Sequence, residues 1–391
     1  MKDLEAITLS DDWEYLMTFL PDEWPGKAKE LGALLRCRKF ADAESLLRTL
    51  FIHLADGCSL RETVVRASYG GIAVSSDVAL LKRLRASGEW LRWMAMGVKD
   101  NWVEKQPRFV VLAKHLNIRL IDGTTVQEPG STGSTWRIHY SINLPSLGCD
   151  EVHVTSPETG ESFKRFEVHS GDLFVGDRGY AYREGISHVV SNGGNVLVRI
   201  NLTGMPLTDS DGSPFDLLDR LRTLSGTQQG DWDVCIPLKD SVVPGRICAI
   251  SKSKQAAERA RHKAIKESRR KGHIPRPETI ESTQYTFVFT TLDREFSASA
   301  ILELYRGRWQ IELAFKRLKS LIGLGHLKKK DKEAARAWIH GKLLVAFLME
   351  ALIWAGERFS PWGYPLCPNI SEEPMPVEGD VFHATYLQCH S

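Results

Sequence analysis

The sequence predicts an α/β protein in which a helical N-terminal region precedes a β-rich core. In the early chain, apolar residues recur at helical spacing, namely Leu46, Leu47, Leu50, Phe51 and Leu54. From about residue 118 the pattern changes to strand alternation, most clearly from Trp136 to Leu144. Helical spacing returns after Ala298. The α and β segments therefore form successive regions of one chain.

Length and composition exclude several classes of protein. The chain has 391 residues, of which 42% are hydrophobic and 26% charged, enough for more than one packed unit. No apolar run approaches the ~20 residues that a membrane-spanning helix needs. Residues 1–5 include early acids and no apolar signal segment, and the seven cysteines form no CxxC pair. We expect a reduced cytoplasmic protein.

The net charge of +2 hides two local biases. Residues 252–271 hold nine basic and two acidic side chains, whereas residues 359–391 hold no Lys or Arg and several acids and prolines. A basic block can contact nucleic acid, and it can equally be a solvated helix or loop. Both interpretations of the block stay open at this stage.

Two short helices with a glycine-containing turn between them are predicted near residue 70. The first begins with the capping pattern Ser59-x-x-Glu62, and Gly70-Gly71 supplies the turn. This pattern is typical of a DNA-binding helix-turn-helix, although a plain helical hairpin gives the same signal. If it binds DNA, we expect three basic residues of the second helix near phosphates: Lys82, Arg83 and Arg85.

Two aspartates are associated with strands of the predicted core. Counted from Ile118, the order is strand, strand, strand, short helix at about 161–168, strand. Asp122 ends the first strand and Asp177 follows the fourth, so adjacent strands of one sheet can bring them together. Asp150 and Asp172 compete as ligands but lie at the other ends of their strands.

A late helix supplies a third carboxylate, Glu312. At ~100° per residue, one arc of this helix holds Tyr305, Arg308, Glu312, Lys316 and Lys319 beside an apolar stripe. A solvated face with i,i+4 ion pairs would look similar. Three carboxylates are, however, the ligand set that a pair of Mg²⁺ ions requires for phosphodiester chemistry. The element order and the acid positions together predict a ribonuclease H-like layout.

These residues also resemble a known family. The spacing Tyr305-x₂-Arg308-x₃-Glu312-x₆-Lys319 is similar to the Tyr-Arg-Glu-Lys (YREK) signature of bacterial insertion-sequence DDE transposases. The segments Ile121-Asp-Gly-Thr and Gly176-Asp-Arg-Gly-Tyr resemble the contexts of that family's two aspartates, and residues 59–91 resemble its N-terminal region. The resemblance covers about residues 40–345.

The resemblance implies specific roles for these residues. Asp122, Asp177 and Glu312 would bind two Mg²⁺ ions, with Mn²⁺ able to substitute, and would be catalytic. Tyr305, Arg308, Lys319 and, less directly, Lys316 would bind DNA. The substrates would be the terminal inverted repeats of an element and a target duplex, and a homodimer would hold them. Bound to DNA, the protein would be associated with the nucleoid. Cleavage through a hairpin intermediate is common in the family. A metal-dependent nuclease without strand transfer and a non-catalytic DNA-binding repressor remain alternatives.

The resemblance also implies a β-rich insertion between the fourth and fifth core strands. The expected regions are a helical DNA-binding region at 1–104, the first part of the core at 105–190, the insertion with its basic block at 191–283, the second part of the core at 284–345, and a helix end with an acidic Pro-rich tail at 346–391. The tail has no counterpart in the family.

Overall fold

A computed structural model of the protein describes residues 12–105, 116–130, 135–144, 146–202, 204–325, 327 and 330–357. The chain forms two compact units, of which the first ends at Leu348. In the second unit the structure describes residues 349–357, which are helical. An eight-stranded mixed sheet organises the first unit. Its strands are β1 Asn117–Val126, β2 Trp136–Asn143, β3 Gly148–Thr155, β4 Asp172–Gly176, β5 Asn195–Arg199, β6 Gln229–Pro237, β7 Val242–Ser251 and β8 Tyr285–Thr290.

The strand order is β3-β2-β1-β4-β5-β8-β7-β6. The first three strands form an antiparallel meander, and β4 and β5 lie parallel to β1. Strand β5 falls in the region that the sequence analysis assigned to the insertion, yet it pairs along β4. A short apolar run such as Asn195–Arg199 does not reveal its partner, so only the pairing places this strand in the core.

Beyond β5 the same sheet continues through β8, β7 and β6. Strand β8 lies in the expected second part of the core, and β7 and β6 lie in the expected insertion. Its buried Arg246 pairs with Asp231 at 2.7 Å and donates to the carbonyl oxygens of Leu292 at 3.0 Å, Asp293 at 2.5 Å and Phe296. The chain leaves β8 through these carbonyls to enter the last helices of the core. The insertion therefore fixes the path into the predicted catalytic helix.

That helix is in fact two helices. Helix α10 covers Ala298–Arg306 and α11 covers Trp309–Ser320, with Gly307 and Arg308 in the junction between them. Here the backbone bonds span three residues, such as the Arg308 amide to the Tyr305 carbonyl at 3.2 Å. Tyr305 and Glu312 therefore lie on different helices, and Arg308 lies at their corner.

Helices form the described part of the N-terminal region, as the periodicity predicted. Residues 12–17 are helical, and they are followed by α1 Trp24–Glu30, α2 Ala43–Leu54, α3 Leu60–Tyr69, α4 Asp77–Ala86 and α5 Gly88–Lys105. Serine side chains cap α3 at Ser59 and α4 at Ser76. Further along, helix α12 covers Lys332–Glu357. Its part before Met349 packs on this region, because a Cβ on Gly341 would lie only 2.5 Å from Leu54. The N-terminal helices are thus tied to the end of the core.

The remaining helices are α6 Arg183–Ser191, α7 Leu217–Arg222, α8 Lys254–Arg270 and α9 Pro277–Glu281. The short helix expected at 161–168 is reduced to a single 3₁₀ turn, Phe163–Arg165, because Phe163 and Phe166 are both held in the core. The residues of the expected tail from 358 to 391 lie outside the described residues. Among the residues that the structure describes, no helix is long and apolar enough to cross a bilayer.

Candidate catalytic site

The register of β1 and β4 brings the two predicted aspartates together. Ile121 pairs with Gly176, so Asp122 and Asp177 follow side by side on adjacent parallel strands. Asp122 lies within β1 rather than at its end, because β1 continues as a pair with β2 after β4 has stopped. The prediction that Asp122 ends its own strand is therefore wrong. Asp122 does, however, directly follow the last residue of β1 that pairs with β4.

Asp177 is held by the turn that follows it. Its Oδ1 accepts the Gly179 amide at 2.7 Å and caps the 3₁₀ helix Arg178–Tyr180. Tyr180 is fully buried and stacks on Phe163 with ring centroids 5.0 Å apart. A packed aromatic pair thus anchors the loop that carries this carboxylate.

The carboxyl group of Asp122 is largely buried and its pKa is strongly perturbed. Its side chain is 16% exposed, and its Oδ1 accepts the Gly123 amide at 2.7 Å. Burial, followed by the nearby charge of Asp177, raises its pKa to about 7. Two carboxylates so placed repel each other, and a shared cation relieves that repulsion.

Helix α11 reaches these aspartates by packing on β2. The ring of Phe315 meets Tyr140 edge-on with centroids 5.9 Å apart, and Tyr140 is the cross-strand partner of Asp122. At the start of the helix, the Arg308 guanidinium donates to Asp122 Oδ2 at 3.3 Å and also to Glu312 Oε1. Arg308 therefore bridges the first and third predicted carboxylates.

The other signature residues surround this bridge. Burial raises the pKa of Tyr305, and the nearby cations Arg308 and Arg199 oppose that rise. Burial lowers the pKa of Lys319, while the charge of Asp122 raises it. Both side chains consequently lie within electrostatic range of the aspartates. Lys316 is exposed on α11.

The donor set suits a hard divalent cation, because it consists of carboxylate oxygens on rigid elements. Asp122 and Asp177 are adjacent, whereas Glu312 is bonded to Arg308. In the described part of the chain, no three His, Cys, Asp or Glu side chains come close enough to hold a metal ion. A three-carboxylate metal site here requires Arg308 to release the carboxylates.

Sequence reasoning missed a fourth carboxylate, Glu161. A Cβ on Gly179 would lie 2.5 Å from Glu161 Oε2 and 2.9 Å from Asp177 Oδ1, and one on Gly123 would lie 2.9 Å from Glu161 Oε1. Glu161 therefore sits against both aspartate turns, with Arg137 3.9 Å away. Its own segment carries no signal, since it belongs to a loop and approaches the site only through the fold.

The rejected candidates, Asp150 and Asp172, serve another purpose. Both pair with Arg119, at 2.7 and 3.2 Å, and Glu151 joins them at 2.6 Å. Arg119 is 4% exposed and lies on β1 before Asp122. This buried ion-pair cluster links β1, β3 and β4 below the catalytic edge.

The basic residues of helix α4 differ in whether their side chains already have partners within the protein. Arg83 donates to the Ala33 carbonyl at 3.0 Å, and Arg85 pairs with Asp331 at 3.0 Å. Lys82 is exposed. The expected hairpin of α3 and α4 is present, with Arg61 and Asp77 3.4 Å apart across it.

Comparison with known proteins identifies the family. Residues 157–348 match the model described as "Transposase DDE domain". The chain is 32% identical over 360 residues to InsL of insertion sequence element IS186A from Escherichia coli K12 (90% of this chain, 96% of that protein). It is similarly 32% identical over 361 residues to the transposase of element IS421 from Escherichia coli, with the same coverage. To the transposase of element IS231B from Bacillus thuringiensis it is 22% identical over 368 residues (84% of this chain, 76% of that protein).

A DDE domain implies a ribonuclease H-like core and a divalent-metal-dependent enzyme of DNA cleavage and transfer. The β3-β2-β1-β4-β5 order and the adjacent Asp122 and Asp177 are the features of this chain that correspond to such a core. The chain therefore belongs to the insertion-sequence transposases with a DDE domain.

Proposed function

We propose that this transposase cleaves the ends of its element and joins the freed 3′-OH to target DNA with two Mg²⁺ ions held by Asp122, Asp177 and Glu312. The observation that carries the proposal is that Asp122 and Asp177 follow the paired residues Ile121 and Gly176 on adjacent strands. The Arg308 bridge from Asp122 to Glu312 adds to it. Mn²⁺ should replace Mg²⁺, since both accept oxygen ligands.

When bound, the ions supply an activated attacking oxygen and stabilise the leaving one. The protein's own part begins with proton release from Asp122, whose raised pKa keeps it partly protonated near neutral pH. Arg308 then leaves Asp122 and Glu312 for a DNA phosphate, which its planar fork grips through two oxygens. DNA binding and metal-site completion are thereby coupled through one side chain.

Other basic residues position the DNA. Tyr305 and Lys319, and less directly Lys316, flank Arg308 and are proposed to contact the cut strand. Helix α8 has no buried residue and contains most of the basic block, which suits contact with the backbone beyond the cut. Helix α4 is proposed to enter a groove of the element end, with Lys82, Arg83 and Arg85 near phosphates. Two such chains would hold paired ends.

The test incubates the protein with Mg²⁺, a duplex carrying its own element end, and a target plasmid. Nicks, hairpins and joined products are resolved on denaturing gels. Asp177→Asn should abolish all of them while leaving end binding within about twofold of the parent. Cleavage by Asp177→Asn would refute the metal assignment, and cleavage without any joined product would favour the nuclease alternative.

A further inference from the structure

The carboxylate edge of the sheet continues into a row of cations. Gly176 pairs with Val198, so Arg199 stands beside Asp177 on the side away from Asp122. Strand β7 runs parallel to β5, because both are antiparallel to β8. Lys252 follows the end of β7, so it projects from the same edge of the sheet. Charge along this edge thus changes from negative to positive.

Three cations gather at this place. Arg178 immediately follows Asp177, Arg199 lies at the end of β5, and Lys252 arrives from the insertion. The pKa of Lys252 is lowered to about 8, first by burial and then by the charges of Arg199 and Arg178. The part of that lowering that follows burial is the effect of like charges near one another.

None of the three has an ion pair within 4.0 Å among the described residues. Lys252 donates one hydrogen bond, from Nζ to the Thr283 carbonyl at 2.7 Å, and its backbone amide donates to the Gln284 carbonyl at 2.8 Å. An ammonium has three donors, so two remain for a ligand. Folding thus places three cations together with no carboxylate in direct contact, while the charges of Asp177 and Glu267 act on Arg178 from further away. A bound anion would stabilise this arrangement.

We infer that Arg178, Arg199 and Lys252 form a phosphate-binding row for the DNA strand that passes from the catalytic carboxylates onto the insertion. The inference rests on the proposed function for the identity of its ligand, a DNA phosphodiester. Arg178 and Arg199 can grip phosphate oxygens through planar forks, and Lys252 adds a point charge. Lys252 makes the insertion part of the site for the cut strand.

The position of the row determines which phosphates of the strand it contacts. Arg199 and Arg178 flank Asp177, so they hold a phosphate next to the one being cut. Lys252 lies beyond them towards helix α8, which begins two residues later. The row therefore connects the catalytic edge to the basic helix as one continuous track for the backbone.

The experiment measures affinity for an element-end duplex without any divalent ion, so it does not depend on cleavage. We expect Lys252→Met to weaken binding roughly tenfold, as expected for one charge-assisted hydrogen bond, and to lower the salt slope by roughly one. The matched control is Lys239→Met, which removes one exposed lysine at the opposite end of the β6–β7 hairpin and should change neither quantity. Lys252→Arg should restore both.

Neutral methylphosphonates placed singly around the cut then locate the contact. In the parent, substitution at phosphates beside the cut should weaken binding, and in Lys252→Met one of those losses should disappear. Arg199→Gln supplies an independent variant should Lys252→Met fail to fold. If both variants lose no more affinity for the element end than Lys239→Met does, the phosphate-binding row is wrong. Cleavage by Asp177→Asn would refute only the metal assignment.

Discussion

Arg308 Nη1 lies 3.3 Å from Asp122 Oδ2, although 186 residues separate the two in sequence. The same guanidinium bonds Glu312 in the next turn. In the DNA-free protein one cation therefore neutralises two of the three carboxylates that the proposed chemistry needs. Under the proposed metal assignment, Arg308 competes with the metal for these carboxylates until a phosphate draws it away.

The first prediction is that Arg308→Ala binds Mn²⁺ more tightly than the parent when no DNA is present. The reason is that the variant removes a positive charge from Asp122 and Glu312. Isothermal titration calorimetry measures the affinity, and cleavage of an element end should fall in the same variant. Arg306→Ala, which removes an exposed arginine two residues earlier, is the control. Unchanged or weaker Mn²⁺ binding would contradict the competition.

A second prediction concerns the close packing around Asp177. In Gly179→Ala the new methyl group would lie 2.5 Å from Glu161 Oε2 and 2.9 Å from Asp177 Oδ1, so a carboxylate must move. Displacement on this scale should cost on the order of 10²-fold in single-turnover cleavage. Gly160→Ala, with no atom within 4 Å of its new methyl, should cleave normally. Equal rates for the two variants would show that the turn tolerates the shift.

The third prediction concerns stability. Arg119→Met leaves Asp150, Glu151 and Asp172 as an unneutralised buried cluster, and we expect the free energy of unfolding to fall by about 3–5 kcal/mol. Urea denaturation followed by circular dichroism measures the change. Arg61→Met removes an exposed pair with Asp77 and should cost less than about 1 kcal/mol. Similar losses of unfolding free energy in the two variants would mean that the Arg119 cluster is solvated.

A fourth prediction concerns acid. Burial lowers the pKa of His340 to about 4, and its Nδ1 bonds the Gly88 carbonyl at 3.2 Å. The unfolded chain, with a pKa near ~6.5, binds more protons between these values. The contribution of His340 is therefore complete above about pH 6.5 and is lost as the pH falls towards 4.

The measurement is the urea midpoint at pH 7.5 and at pH 5. His340→Gln should lose less stability on acidification than the parent does. The comparison of variants is needed because Asp122, with its raised pKa, gives the opposite slope in this range. An equal loss of stability in the parent and in His340→Gln between pH 7.5 and pH 5 would contradict this role of His340.

The last prediction concerns end recognition by α4. Lys82 is exposed, whereas Arg83 and Arg85 bond Ala33 and Asp331 within the protein. Lys82→Ala should therefore lower the salt slope of end binding by roughly one and weaken it across sequences. Fluorescence anisotropy at several salt concentrations measures both. An unaltered slope in this variant would place the groove-binding surface elsewhere.

Local patterns were sufficient to predict much of this protein. Alternation predicted the strand around Trp136, and helical spacing predicted the helices of the N-terminal region, because period and burial are linked within a single element. The contexts of Asp122 and Asp177 and the spacing around Glu312 predicted the family, which the comparisons confirmed. The assignment of these residues as metal ligands remains a prediction.

Tertiary pairing decided the rest. That β5 belongs beside β4, that Arg308 bridges Asp122 and Glu312, and that Glu161 lies against the aspartate turns all depend on contacts between distant segments. Periodicity reports which face of an element is buried, but not which partner covers it. Lys252 shows this most clearly: it belongs to a basic block in the sequence, and only the parallel course of β5 and β7 brings it beside the catalytic edge.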